Sequence, residues 1–153
     1  TRMLRERWHL DQVVADATDD WERIVRLAYW TRDQWTDGWN RHWKQLHICP
    51  PWDAPTILEL TRHNLSLGMC THYSTVFVHV CAALGIPARH VIHHSHCTAE
   101  AWSDRWGKWV WLDFSGDMND NTRGVFWMLR DGVPQSALEV RSAGKKIGSG
   151  VFR

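Results

Sequence analysis

The chain has 153 residues, 44% hydrophobic and 23% charged. That is the size and balance of one globular domain with its own core, and it excludes disorder as the main state. Lys and Arg number 18 against 17 Asp and Glu, so the formal charge is +1, which gives no electrostatic case for nucleic acid or an anionic membrane surface as a partner. No apolar run approaches the roughly 20 residues that span a bilayer. No signal-peptide pattern opens the chain, which starts at Thr1, as expected of a piece of a longer protein.

In chain order, the first clear element is a helix from Asp19 to about Trp35. Thr18, Asp19 and Asp20 are its candidate caps, Glu22 lies in its first turn, and Trp21, Ile24, Val25, Leu27 and Ala28 form its apolar stripe. Asp37-Gly38 breaks it, although Trp35, Trp39 and Trp43 share a four-residue spacing. Pro50, Pro51 and Pro55 mark a loop before a short helix, APTILELTRHN. A second, clearer helix starts near Cys70. Its apolar positions Tyr73, Val76, Phe77, Val80, Cys81 and Leu84 lie on one face, Gly85 caps it, and Ile86-Pro87 ends it. Then the pattern changes. ARHVIHHSHC and TAEAWSD read as strand material, DRWG as a hairpin turn, and KWVWLDF as a strong strand. The tail from Gly116 onward is less regular. Helices first, about 1–85, and strands after, about 86–153, predict a single α+β domain with helices packed on an antiparallel sheet.

Cysteine chemistry is the question that composition leaves open. There are four cysteines, Cys49, Cys70, Cys81 and Cys97, with no CxxC spacing, which speaks against zinc-ribbon and thioredoxin-type sites. Cys70 falls where a helix begins, two residues after Gly68. A helix N-terminus offers unpaired N–H groups and a positive dipole end, which favour thiolate over thiol and can hold an oxyanion. The plainer alternative is a buried cysteine that happens to open a helix. A thiolate nucleophile needs a base and a group that orients it, and His96 and Asp113 are the candidates. If DRWG pairs Ser103 with Lys108, Asp113 falls opposite Thr98 and diagonal to His96. A slip of one residue would put His96 and Asp113 on opposite faces.

At these residues the chain resembles a family. GMCTHYSTVFVHVCAALGIPARHV looks like the core motif of the transglutaminase-like superfamily, with Gly-x-Cys opening a helix that ends in Gly-Ile-Pro-Ala-Arg and enters a strand. HCTAEAWSDRWGKWVWLDF is similar to its later His-x-x-x-Glu strand, turn, Trp-bearing strand and Asp. The resemblance runs from about Gly68 to Phe114. It implies a papain-like fold, with Cys70 as nucleophile, His96 as general base and acid, and Asp113 orienting the imidazole. It also implies acyl transfer or hydrolysis at a peptide, protein or glycopeptide amide, through a thioester, with no metal or organic cofactor, and it leans towards an extracytoplasmic location. In relatives the second oxyanion donor comes from a Gln or Trp upstream of the cysteine. Gln34, Trp35 and Trp39 lie in that region, and the side-chain amide of Gln34 is the favoured donor, against a role as a solvated polar residue. The chain departs from the frequent His-Ala-Trp in having His96-Cys97-Thr98, and from a frequent proline in having Phe114-Ser115 after Asp113. A non-catalytic peptide- or glycan-binding module on the same fold is the alternative.

The remaining candidates have structural readings. His90, His93, His94, His96 and Cys97 suggest zinc, but strand alternation puts them on both faces, and His93 and His94 read as strand residues beside His96. Structural or surface roles suffice for His72 and His79. Glu100 reads as a salt bridge to Arg89, and Cys81 as a small buried hydrophobe. Most of the 12 tryptophans belong to the core, with Trp39, Trp43, Trp102 and Trp106 as candidates for an aromatic groove.

Overall fold

The structure is a computed structural model that describes residues 2–35, 51–63, 69–114 and 124–143. Two short helices, α1 (Arg2–Arg7) and α2 (Leu10–Val13), lead into α3 (Asp20–Asp33). Of the three cap candidates, Asp19 caps α3. Its carboxylate accepts the Glu22 N–H at 2.8 Å, while Glu22 accepts from the Thr18 N–H and hydroxyl. α4 (Ala54–Arg62) is capped in the same way by Asp53, which accepts from the Thr56 N–H and hydroxyl.

α5 (Cys70–Ala83) is the centre of the fold. It packs on α1, α3 and α4, and on the first two strands of the sheet. Tyr73, Val76, Phe77, Val80 and Cys81 are buried with Ile24, Leu27, Ile57, Leu58, Ala99, Ala101 and Leu112. The expected single apolar face is too narrow a description, because His72, Ser74 and Thr75 are also buried. Their burial is tolerated because the Ser74 and Thr75 hydroxyls donate back to the carbonyls of Cys70 and Thr71, at 2.9 and 2.8 Å. Gly85 ends the helix at φ +76°, a left-handed conformation that glycine adopts without strain.

The sheet is antiparallel, in the order β1 (Ala88–Ile92), β2 (Cys97–Ser103), β3 (Lys108–Leu112). The β2–β3 register is the one that DRWG predicts, with Ser103 opposite Lys108 and Ala99 opposite Leu112. Asp20 fastens this hairpin to α3: its carboxylate accepts from the Ser103 hydroxyl and from the N–H groups of Asp104 and Arg105. ARHVIHHSHC, however, is not one strand. Ile92 pairs with Cys97, so His93–His96 form a turn closed by the His93 N–H on the His96 carbonyl at 2.8 Å. The second sheet face carries Trp111 and Val91, covered by Met128, Ala137 and Val140. Met128 directly precedes a small hairpin, β4 (Leu129–Arg130) with β5 (Val133–Pro134), and Ala137 and Val140 lie on α6 (Ala137–Ser142). The stretch read as β therefore also contains a helix. Its signal was in the sequence: Ser136 and Glu139 form a capping box. Among the described residues, no helix is long and apolar enough to cross a membrane.

Candidate active site

Cys70 is the first residue of α5. Met69 precedes it in extended conformation, and its carbonyl accepts from the N–H groups of His72 and Tyr73. The Met69 N–H donates to His72 Nδ1 at 3.1 Å, so a buried imidazole fixes the first turn around the cysteine. His72 is thus structural at the site's edge. His79 is also structural, with Nδ1 accepting the Ala54 N–H at the start of α4.

His96 is the last residue of the β1–β2 turn, and Asp113 follows β3 directly. Asp113 is held by two backbone hydrogen bonds of 2.8 Å with Phe126, outside the three-stranded sheet. Its carboxylate Oδ2 lies 2.9 Å from His96 Nε2, and its residue is only 6% exposed. With Nε2 committed there, the other ring nitrogen is left to the thiol, and His96 is hydrogen-bonded to the Cys70 sulfur. The structure thus brings Cys70, His96 and Asp113 together in that order.

The electrostatics follow from these contacts. The Cys70 thiol is lowered from 9.0 to about 7, chiefly by the His96 hydrogen bond. Burial opposes this, while the Cys97 backbone N–H and the charge on His96 assist it. Burial pulls the His96 imidazole down, but its hydrogen bonds and charge interactions with Asp113 and Cys70 outweigh that and raise it from 6.5 to about 10. Between these two values the stable pair is thiolate with imidazolium.

The sequence did not reveal the surroundings of His96. The His93 ring lies 6.2 Å from the His96 ring, centroid to centroid, and nearly parallel to it. His93 Nε2 meets the Thr98 hydroxyl at 2.9 Å, and that hydroxyl accepts from Trp111 Nε1 at 2.8 Å. Burial and the neighbouring His96 charge hold His93 below its ordinary value. The Cys97 N–H on the Cys70 sulfur is a second contact that no residue pattern signals, because it depends on where the turn ends.

The other candidates divide. Gln34 ends α3, and its Nε2 donates to the Trp30 carbonyl at 2.8 Å, which occupies one of the two amide hydrogens. Trp35 is buried, stacked on Tyr73 at 4.3 Å. Trp39, Trp43 and Cys49 lie outside the described residues. Trp102 lines a cavity with Arg89, Trp109 and His93, whereas Trp106 does not line it. Trp102 and Trp106 sit at the β2–β3 hairpin, the far end of β2 from His96, roughly 20 Å away at the usual strand rise. Glu100 is buried and accepts two hydrogen bonds from Arg89, as expected, and a third from the Ala137 N–H at the start of α6. His93–His96 form a turn and not a strand. Among the described residues, no three His, Cys, Asp or Glu side chains converge as metal ligands.

A helix-borne cysteine, a histidine from a neighbouring sheet and a carboxylate behind it, on an α+β scaffold, define the papain-like class of cysteine proteins. The transglutaminase-like superfamily model matches residues 9–114, more than two thirds of the chain, and the chain belongs to that superfamily, a family of cysteine-based acyl transfer and hydrolysis. A crystal structure of a TGase is similar in fold, with a TM-score of 0.54 at 18% identity over 79% of this chain. The match covers 33% of that TGase, so this chain spans about a third of its length. No curated protein sequence matches the chain.

Proposed function

We propose that this chain is a thiol enzyme that cleaves an amide bond through a thioester, with Cys70, His96 and Asp113 as its triad. One observation carries the reading: a single imidazole is hydrogen-bonded to both the Cys70 sulfur and the Asp113 carboxylate. The thiolate attacks the amide carbonyl. The negative oxygen that forms is met by N–H groups at the start of α5, which have no acceptor within the helix. Gln34 is the candidate for a second donor, through its remaining amide hydrogen. As the tetrahedral centre collapses, His96 gives its proton to the leaving amine and the thioester remains. His96 then takes a proton from water, whose oxygen attacks the thioester, and Cys70 leaves as thiolate. An acceptor amine in place of water would give transfer; hydrolysis is favoured because water is always at hand. Asp113 keeps the ring oriented and compensates its charge. The steps need no metal or organic cofactor, and the substrate class is a peptide, protein or glycopeptide amide.

Iodoacetamide labelling tests the nucleophile. At pH 6 a thiol of pKa about 7 is roughly 90-fold more ionised than one at 9.0, and its lower intrinsic reactivity returns about eightfold of that. Cys70 should therefore label roughly tenfold faster than a free thiol. Labelling no faster than a free thiol rejects the enzyme reading and leaves a binding module. Profiling the wild type and Cys70→Ala against peptide and glycopeptide libraries then identifies the acyl donor.

A further inference from the structure

We propose that the outer edge of β1, with the cavity beside it, binds an extended acidic peptide segment as a further strand of the sheet. The site uses neither Cys70 nor turnover, so it stands or falls apart from the reading above. The backbone carries the first part of the argument. The Trp102 N–H donates to the Pro87 carbonyl, and the His93 N–H to the His96 carbonyl. In an antiparallel ladder the residues that exchange bonds alternate, so Arg89 and Val91 face β2, while the N–H and C=O groups of Ala88, His90 and Ile92 face away from it. Among the described residues, none bonds to those outward groups. The opposite edge of the sheet is covered: the Gln135 carbonyl accepts from the Trp111 N–H, and Phe126 bonds both ways with Asp113. Edge strands are commonly guarded by a proline, a bulge or a charged side chain. β1 has no proline within it and no bulge in its register. Its arginine is turned across the sheet, with the Arg89 guanidinium on Glu100 at 2.7 and 2.8 Å and 4.2 Å over the Trp109 ring.

The cavity selects the occupant. It has a volume of about 670 Å³ and is lined by β1, by Trp102 and Trp109, and by α6. Arg89, Glu100, Trp102 and Trp109 share one sheet face by their pairing. Side chains of an added strand alternate in direction, so every second one meets that face. The charges there are matched except for one. Arg89 pairs with Glu100, and Lys108 with Glu139. Arg141, which also lines the cavity, is exposed and has no carboxylate partner among the described residues. Leu138 lies three residues earlier on α6, hence on the same side of that helix, and is 72% exposed. The fitting ligand therefore offers an extended backbone to the edge, a carboxylate to Arg141 and an aliphatic side chain to Leu138. A small anion leaves the edge unpaired. A second copy of the chain fits less well, because β1 carries no Asp or Glu for Arg141.

The test uses the full chain and fluorescein-labelled heptapeptides that alternate valine with glutamate or valine with lysine. Binding is read by fluorescence anisotropy, and the β1 amides by hydrogen exchange. In the free chain the His90 and Ile92 amides should exchange fast and those of Arg89 and Val91 slowly. The glutamate peptide should bind and slow His90 and Ile92. The lysine peptide, and a glutamate peptide N-methylated throughout, should bind at least about tenfold more weakly. Arg141→Glu should weaken the glutamate peptide by about fivefold or more and strengthen the lysine peptide by a similar factor, with the iodoacetamide rate of Cys70 unchanged. The proposal is overturned if no binding is seen at about 1 mM peptide, if N-methylation costs nothing, or if Arg141→Glu leaves the preference as it was. It is also overturned if His90 and Ile92 are already slow in the free chain, which means the edge is covered, or become slow only as the chain dimerises, which means a second copy pairs there. Slow Cys70 labelling leaves all of these outcomes untouched and counts against the enzyme reading alone.

Discussion

Two turns of one helix hold two cysteines with opposite chemistry. Cys70 opens α5 and Cys81 lies about three turns further on. The Cys70 sulfur receives hydrogen bonds from His96 and from the Cys97 N–H, and its thiol falls to about 7. Cys81 is fully buried among apolar side chains, and burial alone pushes its thiol up. Side-chain type is identical in the two places, so donors decide which thiol is the more acidic. Those donors come from the sheet and not from the helix. The helix supplies a partly exposed cysteine at its first residue, and the β1–β2 turn supplies the imidazole and the amide beside it.

The largest test of this contrast is Cys70→Ala. Turnover should fall on the order of 10⁶-fold, as when a nucleophile is removed from a triad, and the fast alkylation product should vanish. Substantial remaining turnover would move the nucleophile away from Cys70. Next is Asp113→Asn, which keeps the shape at Oδ2 but removes the charge. kcat should drop by roughly 10³- to 10⁴-fold while the fold is retained. The comparison also fixes a pH profile. Because Cys70 titrates near 7 and His96 near 10, alkylation and turnover should rise through pH 7, and turnover should decline as His96 loses its proton near 10. In Asp113→Asn the upper limb should move down and the lower limb up, since the imidazolium loses its carboxylate. Limbs that stay fixed in the variant would mean that Asp113 does not set the pair.

How much of this could be read from sequence depended on local signals. The register that brings Asp113 opposite Thr98 was readable because DRWG, with Gly107 at φ +62°, marks a tight turn between two β-rich runs. The helix that Cys70 opens was readable from its apolar spacing and from Gly85-Ile86-Pro87. The His93–His96 turn was not, because Ser95 is its only residue with a turn preference and it lacks Gly, Pro, Asn or Asp. That one turn explains why His93 stacks beside His96 and why the Cys97 N–H reaches Cys70. The Asp113–Phe126 bridge was also hidden, since it joins residues across a long connection by backbone alone. α1 and α2, six and four residues long, carry too little periodicity to stand out.

The buried carboxylate of Glu100, further along β2, should behave differently from Asp113. Glu100 joins Arg89 to the start of α6 and touches none of the three reactive groups. Glu100→Gln removes a charged acceptor from a buried N–H and from a half-exposed guanidinium, so about 1–3 kcal/mol of stability should go in chemical denaturation. The Cys70 alkylation rate in the folded protein should stay within twofold. A large fall in that rate would tie α6 to the site.

The smallest expected effect is the sharpest control. Cys81→Ala removes one buried sulfur from the core around α5, at about 1 kcal/mol, read as a shift in the denaturation midpoint. It removes no donor to Cys70. The alkylation limb near pH 7 should therefore be unchanged, because the groups that place it belong to His96 and Cys97. If the limb instead rose towards 9, packing along α5 and not the hydrogen bonds from the β1–β2 turn would be tuning the nucleophile, and the contrast between the two cysteines would need a different cause.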